Sequence, residues 1–398
     1  FFSSRRRHTR FRNVTGVQTC ALPISDSFAT LETDADDPAL LIYTSGTTSQ
    51  PKGALHAHRM MLGCIPAVEQ MLSHWPRGNE VMWTPAEWAW IAGLYDALFP
   101  AWYYGTPVLA HRFAKFDPER AFAMLAKHRV GVSFIPPTAL KMMRQVNNPR
   151  ATWDYDLRAL FTGGEAMGEE LLAWGRDTFG TTISEGYGQT EMNLMTLNSP
   201  DWFEVRAGSC GRACPGRKVA IVDGDGRVLP PGEEGQIAGW RDDPIVMLEY
   251  WKNPDATAKK YAGDWLLTGD LGHMDEDGYV FFKSRDDDVI TSGGYRIGPG
   301  EIEECLMKHP AVAMVGVVGV PDKVRTEIVK AFVQLRPEIA ATEALKADLA
   351  AYVKTRLAAH EYPREVDFVA ELPLTTTGKI MRRELRRLDA ERKGGQRG

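Results

Sequence analysis

Apolar and polar residues follow a pattern along the chain that predicts strands and helices in alternation. Short apolar runs predict strands at 131–135, 159–162 and 182–185, and amphipathic stretches predict helices at 138–146 and 169–179. Asp117 and Pro118 predict the start of a further helix, because aspartate caps helices and proline is favoured in their first turn. Strands that alternate with helices at this spacing predict a parallel α/β sheet.

The pattern differs on either side of this region. Before it, an apolar run at 39–43 predicts a strand, and apolar residues spaced mostly three or four apart predict a helix over 54–74. After about residue 208, strand-like runs are separated by acidic turns that contain glycine. We therefore predict an α/β large domain with a β-rich subdomain over 26–287, and a small α+β domain over 288–398.

Composition limits the class of protein further. The 398 residues are 44% hydrophobic, 25% charged and 10% aromatic, which excludes a wholly disordered, coiled-coil or collagen-like chain. No apolar run of about 18 residues occurs, so we predict no membrane span. The net charge of -5 gives no reason to expect nucleic acid. Five unpatterned cysteines favour a reduced, cytoplasmic protein, and Cys210 and Cys214 lack the further ligands of a zinc site.

The first 25 residues differ from the rest of the chain. They hold five arginines and no acidic residue, which would suit a basic arm, a transit peptide or a targeting signal. They also resemble translated read-through of a sequencing adapter. We favour that origin and exclude residues 1–25 from the predicted fold.

The first chemical candidate is the loop TSGTTSQPKG at residues 44–53. Its glycines and hydroxylated residues let backbone N–H and side-chain OH groups surround phosphate oxygens, and Lys52 adds positive charge. It is not a Walker A loop, because Pro51 and Gly53 stand where that loop requires Gly and Ser or Thr. A flexible surface loop is the alternative.

Further candidates lie downstream. Thr190 and Glu191 follow a predicted strand and place a hydroxyl beside a carboxylate, which suits a phosphate and its Mg²⁺. Tyr187 offers a flat face for a purine. Asp270, in the tight turn predicted for TGD, suits ribose hydroxyls, although a carboxylate there can also be a turn cap.

Taken in order, the motifs YTSGTTSQPKG, GYGQTE, TGD, KSRDDD and TTTGKI resemble those of the adenylate-forming superfamily. This superfamily includes acyl-CoA synthetases, peptide-synthetase adenylation domains and firefly-type luciferases. The resemblance covers residues 38–390, with Ser49 where glycine is commoner. Through this resemblance Arg285 and Lys379 become candidate site residues. Without it, Arg285 would be part of a charge run and Lys379 part of a surface loop.

The resemblance implies a set of site residues. The nucleotide and co-substrate residues are Thr44, Ser45, Gly46, Thr47, Thr48, Lys52, Gly164, Glu165, Ala166, Glu185, Gly186, Tyr187, Asp270, Arg285, Gly294 and Arg296. The catalytic residues are Lys379, Thr190 and Glu191, and Glu191 also holds Mg²⁺. Asp287 matches the hinge about which the small, mobile domain rotates. Trp88 belongs to an aromatic-rich segment where the family builds its acyl pocket.

The resemblance also implies an activity that uses ATP, Mg²⁺ and CoA. A carboxylic acid would be adenylated with release of pyrophosphate, and a thiol would then displace AMP. The sequences GYRIGPGEIE and EYPR are most similar to those of short- and medium-chain acyl-CoA synthetases, which places the expected activity in fatty acid metabolism. Adenylation of an aryl or amino acid and a nucleotide-binding fragment without activity are the alternatives. Because the family carries a long segment before its phosphate loop, we expect this chain to be truncated at its N-terminus.

Overall fold

The computed structural model describes residues 29–44, 51–78, 80–165, 167–181, 183–206, 208–358, 360–375 and 379–395. The chain forms two compact units, Phe1–Asp37 and Pro38–Gly398. In the first unit, residues 29–37 are irregular, with a turn in which the Asp34 N–H donates to Asp37 Oδ2 at 2.9 Å. The segment 1–25 lies outside the described residues. The second unit holds all the helices and strands given below.

The largest sheet in the described part of the chain has seven strands. In spatial order they are β4 (Val108–Leu109), β3 (Val81–Trp83), β5 (Val130–Phe134), β6 (Ala159–Gly163), β7 (Ile183–Gln189), β8 (Asn193–Asn198) and β9 (Arg212–Ala213). The four pairs of neighbours from β4 to β7 run parallel, and β8 and β9 add two antiparallel pairs. The predicted parallel α/β sheet is therefore confirmed.

Helices cover both faces of this sheet. Alternate residues of each strand point to opposite faces, so each strand contributes side chains to both layers of helices. Val130 and Leu160 pack with α4 (Pro118–Lys127), α5 (Pro137–Met143) and α6 (Glu169–Phe179). Val132 and Phe161 pack with α1 (Arg59–Met71) and with a segment made of α2 (Ile91–Gly93), a π-helical turn (Leu94–Leu98) and α3 (Phe99–Tyr103). The predicted cap of α4 is present, since Asp117 Oδ1 accepts from the Arg120 N–H at 3.0 Å.

The predicted helix over 54–74 is wrong at its start. Residues Lys52–Ala57 form β2, which pairs antiparallel with β1 (Pro38–Thr44) on one side and with β12 (Glu249–Tyr250) on the other. Backbone pairing on both edges overrides the helical spacing, and α1 begins only at Arg59. Residues 45–51 therefore connect two antiparallel strands, and the first helix begins only after β2.

A second, five-stranded sheet follows along the chain. It consists of β10 (Val219–Val222), β11 (Gly235–Trp240), β14 (Trp265–Met274), β13 (Tyr261–Ala262) and β15 (Val280–Arg285). The short helix α7 (Pro254–Ala258) precedes β13. Register positions Asp270 opposite Arg285 on neighbouring strands β14 and β15. This pairing brings together two residues that lie fifteen positions apart in the sequence.

The C-terminal region has its own sheet and core. Its strands are β16 (Ile290–Ser292), β17 (Tyr295–Ile297), β18 (Val312–Asp322), β19 (Thr326–Leu335) and β20 (Glu365–Phe368), and its helices are α8 (Pro299–Met307), α9 (Glu343–Lys354) and α10 (Arg382–Gly395). Its apolar clusters are built from residues 290 onward. The predicted boundary between residues 287 and 288 stays a prediction. Among the described residues, no helix is both long and apolar enough to cross a membrane.

A buried ionic network joins the two ends of this C-terminal region. Arg382, at the start of α10, contacts Asp288 Oδ2 at 3.0 Å and Glu303 Oε2 at 2.7 Å. Asp288 is 2% exposed and follows the predicted hinge residue Asp287. Since Arg382 lies three residues after Lys379, the network ties the segment that carries Lys379 to the start of the region.

Candidate active site

The turn between β7 and β8 carries Thr190 and Glu191. The Glu191 side chain is buried, and its Oε1 accepts a hydrogen bond from the hydroxyl of Tyr250 in β12. The backbone carbonyl of Glu191 also accepts from the Met247 N–H at 2.9 Å. Strand β7 continues four residues beyond its predicted end, so Tyr187 lies within the strand. Glu191 follows β7 in a turn, and the hydrogen bonds from Tyr250 and from the Met247 N–H hold this turn in place.

Gly188 allows this turn to form. A Cβ at Gly188 would overlap the backbone carbonyl of Asn193, the first residue of β8. The glycine in the motif GYGQTE is therefore required by close packing of the two strands, a reason that the sequence alone does not show.

Replacing Gly188 with alanine is expected to lower the free energy of unfolding by about 3 kcal/mol, because β7 and β8 must separate to admit the methyl group. Urea unfolding followed by circular dichroism measures the change. The matched control is Gly224→Ala, since a Cβ at Gly224 meets nothing within 4 Å. Equal stability of the two variants would contradict the packing argument.

A buried carboxyl group supports the same turn from beneath. Asp96 lies in the π-helical turn and is 1% exposed, and its Oδ1 accepts from Asn193 Nδ2 at 2.8 Å. The same amide group lies 2.9 Å from Cys64 Sγ. Burial raises the pKa of Asp96 from its ordinary 3.8 to about 7, against lowering by Asn193 and the Arg217 charge. A buried carboxyl group with a raised pKa is thus hydrogen-bonded to the residue that begins β8, directly after this turn.

This raised pKa gives a signed pH prediction. Between about pH 4 and 7 the native protein keeps the Asp96 proton while the unfolded chain releases it, so rising pH favours unfolding. Relative to the wild type, Asp96→Asn should therefore become progressively more stable from pH 4 to 7 and show no further relative gain above pH 7. Urea unfolding at several pH values tests this, with the exposed Asp225→Asn as control. A stability difference that does not vary with pH would refute the assignment.

The ribose-side residues form a second part of the site. Tyr187 donates its hydroxyl hydrogen to Asp270 Oδ2 at 2.7 Å, and Arg285 Nε lies 3.8 Å from Asp270 Oδ1. Burial raises the pKa of Asp270, while the Tyr187 hydrogen bond and the Arg285 charge lower it. The predicted tight turn at TGD is wrong, because Thr268 to Asp270 lie within β14, where Gly269 takes a positive φ of 80°.

The phosphate-loop residues are placed in part. Thr44 ends β1 and pairs with Lys52 at the start of β2, and Thr44 Oγ1 donates to the Lys52 carbonyl at 3.3 Å. The Lys52 ammonium lies 5.1 Å from the centre of the Tyr250 ring. Lys52 and Glu191 therefore share Tyr250 as a neighbour. The predicted residues Ser45, Gly46, Thr47 and Thr48 lie outside the described residues.

Lys379 comes from the C-terminal region and reaches the same cleft. A Cβ built on Gly164 would lie 3.9 Å from Lys379 Cε and 3.1 Å from Trp90 Cη2. Lys379 is exposed to the water of the cleft, yet surrounding protein lowers the pKa of its ammonium by desolvation. The carboxylates of Glu165, Asp270 and Glu191 oppose this lowering. The structure thus places Lys379 next to Gly164 and within electrostatic range of Glu191, Asp270 and Arg285.

The predicted adenine-side residues follow β6 or lie within β7, where Gly186 pairs with Gly163 at the end of β6. Glu165 Oε1 accepts from Thr138 Oγ1 at 3.0 Å, and Glu185 Oε1 accepts from the Met167 N–H at 3.0 Å. Burial raises the pKa of Glu185 to about 7, against lowering by the Met167 hydrogen bond. Gly186 is buried, because a Cβ there would approach Leu194 and Phe161 at 2.7 Å. Ala166 lies outside the described residues.

None of the contacts described above connects the remaining predicted residues with the site residues placed so far. Gly294 is exposed in the β16–β17 hairpin with φ 88°. Arg296 lies in β17 and Asp287 in a short 3₁₀ turn, and only their backbones are described. Trp88 is 37% exposed, whereas Trp90, two residues on, lies beside Gly164. The roles of all these residues stay predictions.

The structure adds three residues that the sequence argument did not assign. Tyr250 contacts Glu191 and Lys52, Trp90 lies beside Gly164 and Lys379, and Lys260 donates to Gln189 Oε1 at 3.0 Å. Only Trp90 had a signal, as part of the aromatic-rich segment. Within the described residues, no group of three His, Cys, Asp or Glu side chains could hold a metal ion by itself.

Comparisons with known proteins identify what this arrangement is similar to. The family model for AMP-binding enzymes matches residues 8–251, and the model for the AMP-binding enzyme C-terminal domain matches residues 301–379. The human "Acyl-coenzyme A synthetase ACSM4, mitochondrial" is 38% identical over 91% of this chain and 63% of its own length. The "Acetyl-coenzyme A synthetase" of Bacillus subtilis is 37% identical over 89% of this chain and 62% of its own length.

A solved structure agrees with these relatives. The crystal structure of ATP-bound MatB from Rhodopseudomonas palustris matches with a TM-score of 0.83 at 27% identity, covering 94% of this chain and 72% of MatB. The chain thus spans a little under two thirds of the length of the two curated relatives that it matches.

Proposed function

The chain belongs to the family of AMP-binding enzymes, and from this premise we propose that its protein is an AMP-forming acyl-CoA synthetase. It would activate a short- or medium-chain carboxylic acid with ATP and transfer the acyl group to CoA. The observation that carries the proposal is that the Lys379 side chain lies next to Gly164, where the charges of Glu165, Asp270 and Glu191 act on its ammonium group. A cation, a ribose-type carboxylate and a phosphate-side carboxylate are the groups that adenylation needs.

In the proposed first step, a carboxylate attacks the α-phosphorus of ATP and pyrophosphate leaves. Asp270, fixed by Tyr187 and Arg285, would hold the ribose. Lys379 would lie between the attacking carboxylate and the α-phosphate, so that its charge reduces their repulsion and orients the attack. Lys52, whose ammonium lies near the Tyr250 ring, would neutralise the outer phosphates.

Glu191 fits a Mg²⁺ ion that arrives with the nucleotide. Tyr250 engages Oε1 of its carboxylate, which leaves Oε2 for a metal, and Mg²⁺ commonly takes one or two carboxylates and completes its shell with phosphate oxygens and water. The ion would supply charge neutralisation for the triphosphate. Thr190, beside Glu191, would contact a phosphate oxygen.

In the proposed second step, the C-terminal region turns about Asp287 and withdraws Lys379 from the cleft. Gly294 and Arg296, on the hairpin of the same region, would then face the acyl-adenylate while the thiol of CoA attacks it. The ionic network of Arg382 supports this proposal, because it makes the Lys379 segment and the start of the region move as one body. A cytoplasmic location and a place in fatty acid metabolism complete the proposal.

The test is pyrophosphate release from ATP over a panel of carboxylates, with and without CoA, in the complete protein. Release that requires one acid class and consumes CoA supports the proposal and identifies the acid. Release with an aryl or amino acid and no use of CoA would replace it with another adenylation. ATP binding without release for any acid would leave only nucleotide binding.

A further inference from the structure

Lys260 carries a positive charge inside the candidate cleft, between α7 and β13. Its side chain is half-buried. The ammonium group donates to Gln189 Oε1 at 3.0 Å, to the Leu267 carbonyl at 2.9 Å and to the Thr268 carbonyl at 3.1 Å. A lysine ammonium has three N–H donors, so these acceptors use all of them and fix its position.

These hydrogen bonds join the seven-stranded sheet to the five-stranded sheet, next to candidate site residues of both. Gln189 ends β7 of the seven-stranded sheet and directly precedes the turn 190–191. Thr268 belongs to β14 of the five-stranded sheet and lies two residues before Asp270. Lys260 therefore adds a second link between β7 and β14, beside the hydrogen bond from Tyr187 to Asp270, and helps to set the separation between the phosphate-side turn and the ribose-side carboxylate.

The charge of Lys260 is also available to an anionic ligand. Its three acceptors are neutral, an amide and two backbone carbonyls, so its contacts satisfy the ammonium without cancelling its charge. Burial lowers the pKa of Lys260, and the carboxylates of Glu191 and Asp270 oppose that lowering. A cation held inside a protein cleft raises the local concentration and affinity of a polyphosphate.

We propose that Lys260 is a positioning residue for adenylation, which fixes the Glu191 turn relative to Asp270 and adds positive potential for the triphosphate. This inference rests on the proposed function, because it concerns the same nucleotide site. Preorganised groups lower the cost of binding and of reaching the transition state, so losing the link should weaken both.

The experiment compares Lys260→Met with Lys259→Met in the complete protein. Lys259 is the adjacent residue and its side chain is exposed, so the control removes the same charge at one position away. We expect Lys260→Met to raise the dissociation constant of ATP, measured by calorimetry without acid or CoA, by about 10- to 100-fold. We also expect a loss of ATP–pyrophosphate exchange, and little change in thioester formation at saturating, preformed acyl-adenylate. Lys259→Met should match the wild type in all three.

A second variant separates positioning from general stability. Gln189→Leu removes one acceptor of Lys260, and its effect on ATP affinity should be less than additive with Lys260→Met, because both break the same link. If Lys260→Met does not fold, Gln189→Leu alone must weaken ATP binding for the inference to stand. ATP affinity within twofold of the wild type, or an equal fall in both half-reactions, would overturn it. If the wild type binds ATP but releases no pyrophosphate with any acid, the proposed function fails while the ATP affinities still decide the role of Lys260.

Discussion

Lys379→Ala is expected to slow acyl-adenylate formation by on the order of 10²- to 10³-fold, the largest effect that we foresee for a single side chain. The end of the Lys379 side chain lies next to Gly164, and its ammonium is within electrostatic range of Asp270 and Glu191. Its removal would leave the attacking carboxylate and the α-phosphate facing each other with their repulsion unreduced. ATP–pyrophosphate exchange with the preferred acid measures this step.

The same variant should form thioester from preformed acyl-adenylate at close to the wild-type rate, because the carboxylate and the α-phosphate are then already joined. Lys308→Ala is the control, since Lys308 belongs to the same C-terminal region, pairs with Glu304 at 3.1 Å and is 57% exposed. We expect the control to change neither half-reaction. Equal losses of adenylation and thioester formation in Lys379→Ala would contradict the assignment.

The split between the half-reactions depends on how Lys379 is held. It follows Thr375, whose hydroxyl accepts from the Lys379 N–H at 3.0 Å, and it precedes Arg382 by three residues. Arg382 anchors the segment through Asp288 and Glu303 inside the C-terminal region. The lysine backbone therefore belongs to that region, although the lysine side chain lies next to Gly164, just after β6 of the seven-stranded sheet.

Residues near one another on adjacent strands were the most predictable part of the site. The parallel sheet follows from alternating apolar runs, and the pairing of β6 with β7 puts Glu185 opposite the end of β6, shortly before Glu165. The resemblance supplied the roles of Glu165 and Glu185, whereas Thr190 and Glu191 were identified from a local pattern, a hydroxyl beside a carboxylate after a predicted strand. The fold class and the motif order could therefore be read from the sequence.

Contacts across the sheets could not be predicted in this way. The spacing over 54–74 fits a helix, and only the pairing of β2 with β1 and β12 makes its first part a strand. Tyr250 and Lys260 each act through a partner about sixty or more residues away, Glu191 and Gln189 respectively. Such partners are chosen by tertiary packing, so composition and periodicity carry no signal for them.

Glu191→Gln is expected to weaken binding of Mg²⁺–ATP and to slow adenylation by about 10²-fold. Glutamine keeps an oxygen that can accept from Tyr250, so the turn after β7 retains its hydrogen bond while the negative charge is lost. A neutral amide is a poorer ligand than a carboxylate for a hard divalent cation. Calorimetric titration with ATP in the presence and absence of Mg²⁺, together with pyrophosphate exchange, measures both effects.

Tyr250→Phe is the matched control for this prediction, because it keeps the Glu191 charge and removes only the hydroxyl that donates to it. We expect a smaller loss, about tenfold, and a Mg²⁺ dependence that stays close to that of the wild type. The two variants thus separate the effect of the Glu191 charge from the effect of holding its carboxylate in position. If Glu191→Gln bound ATP equally well with and without Mg²⁺ and so did the wild type, Glu191 would have no metal role. Its burial beneath Tyr250 would then serve only to hold the turn that carries Thr190.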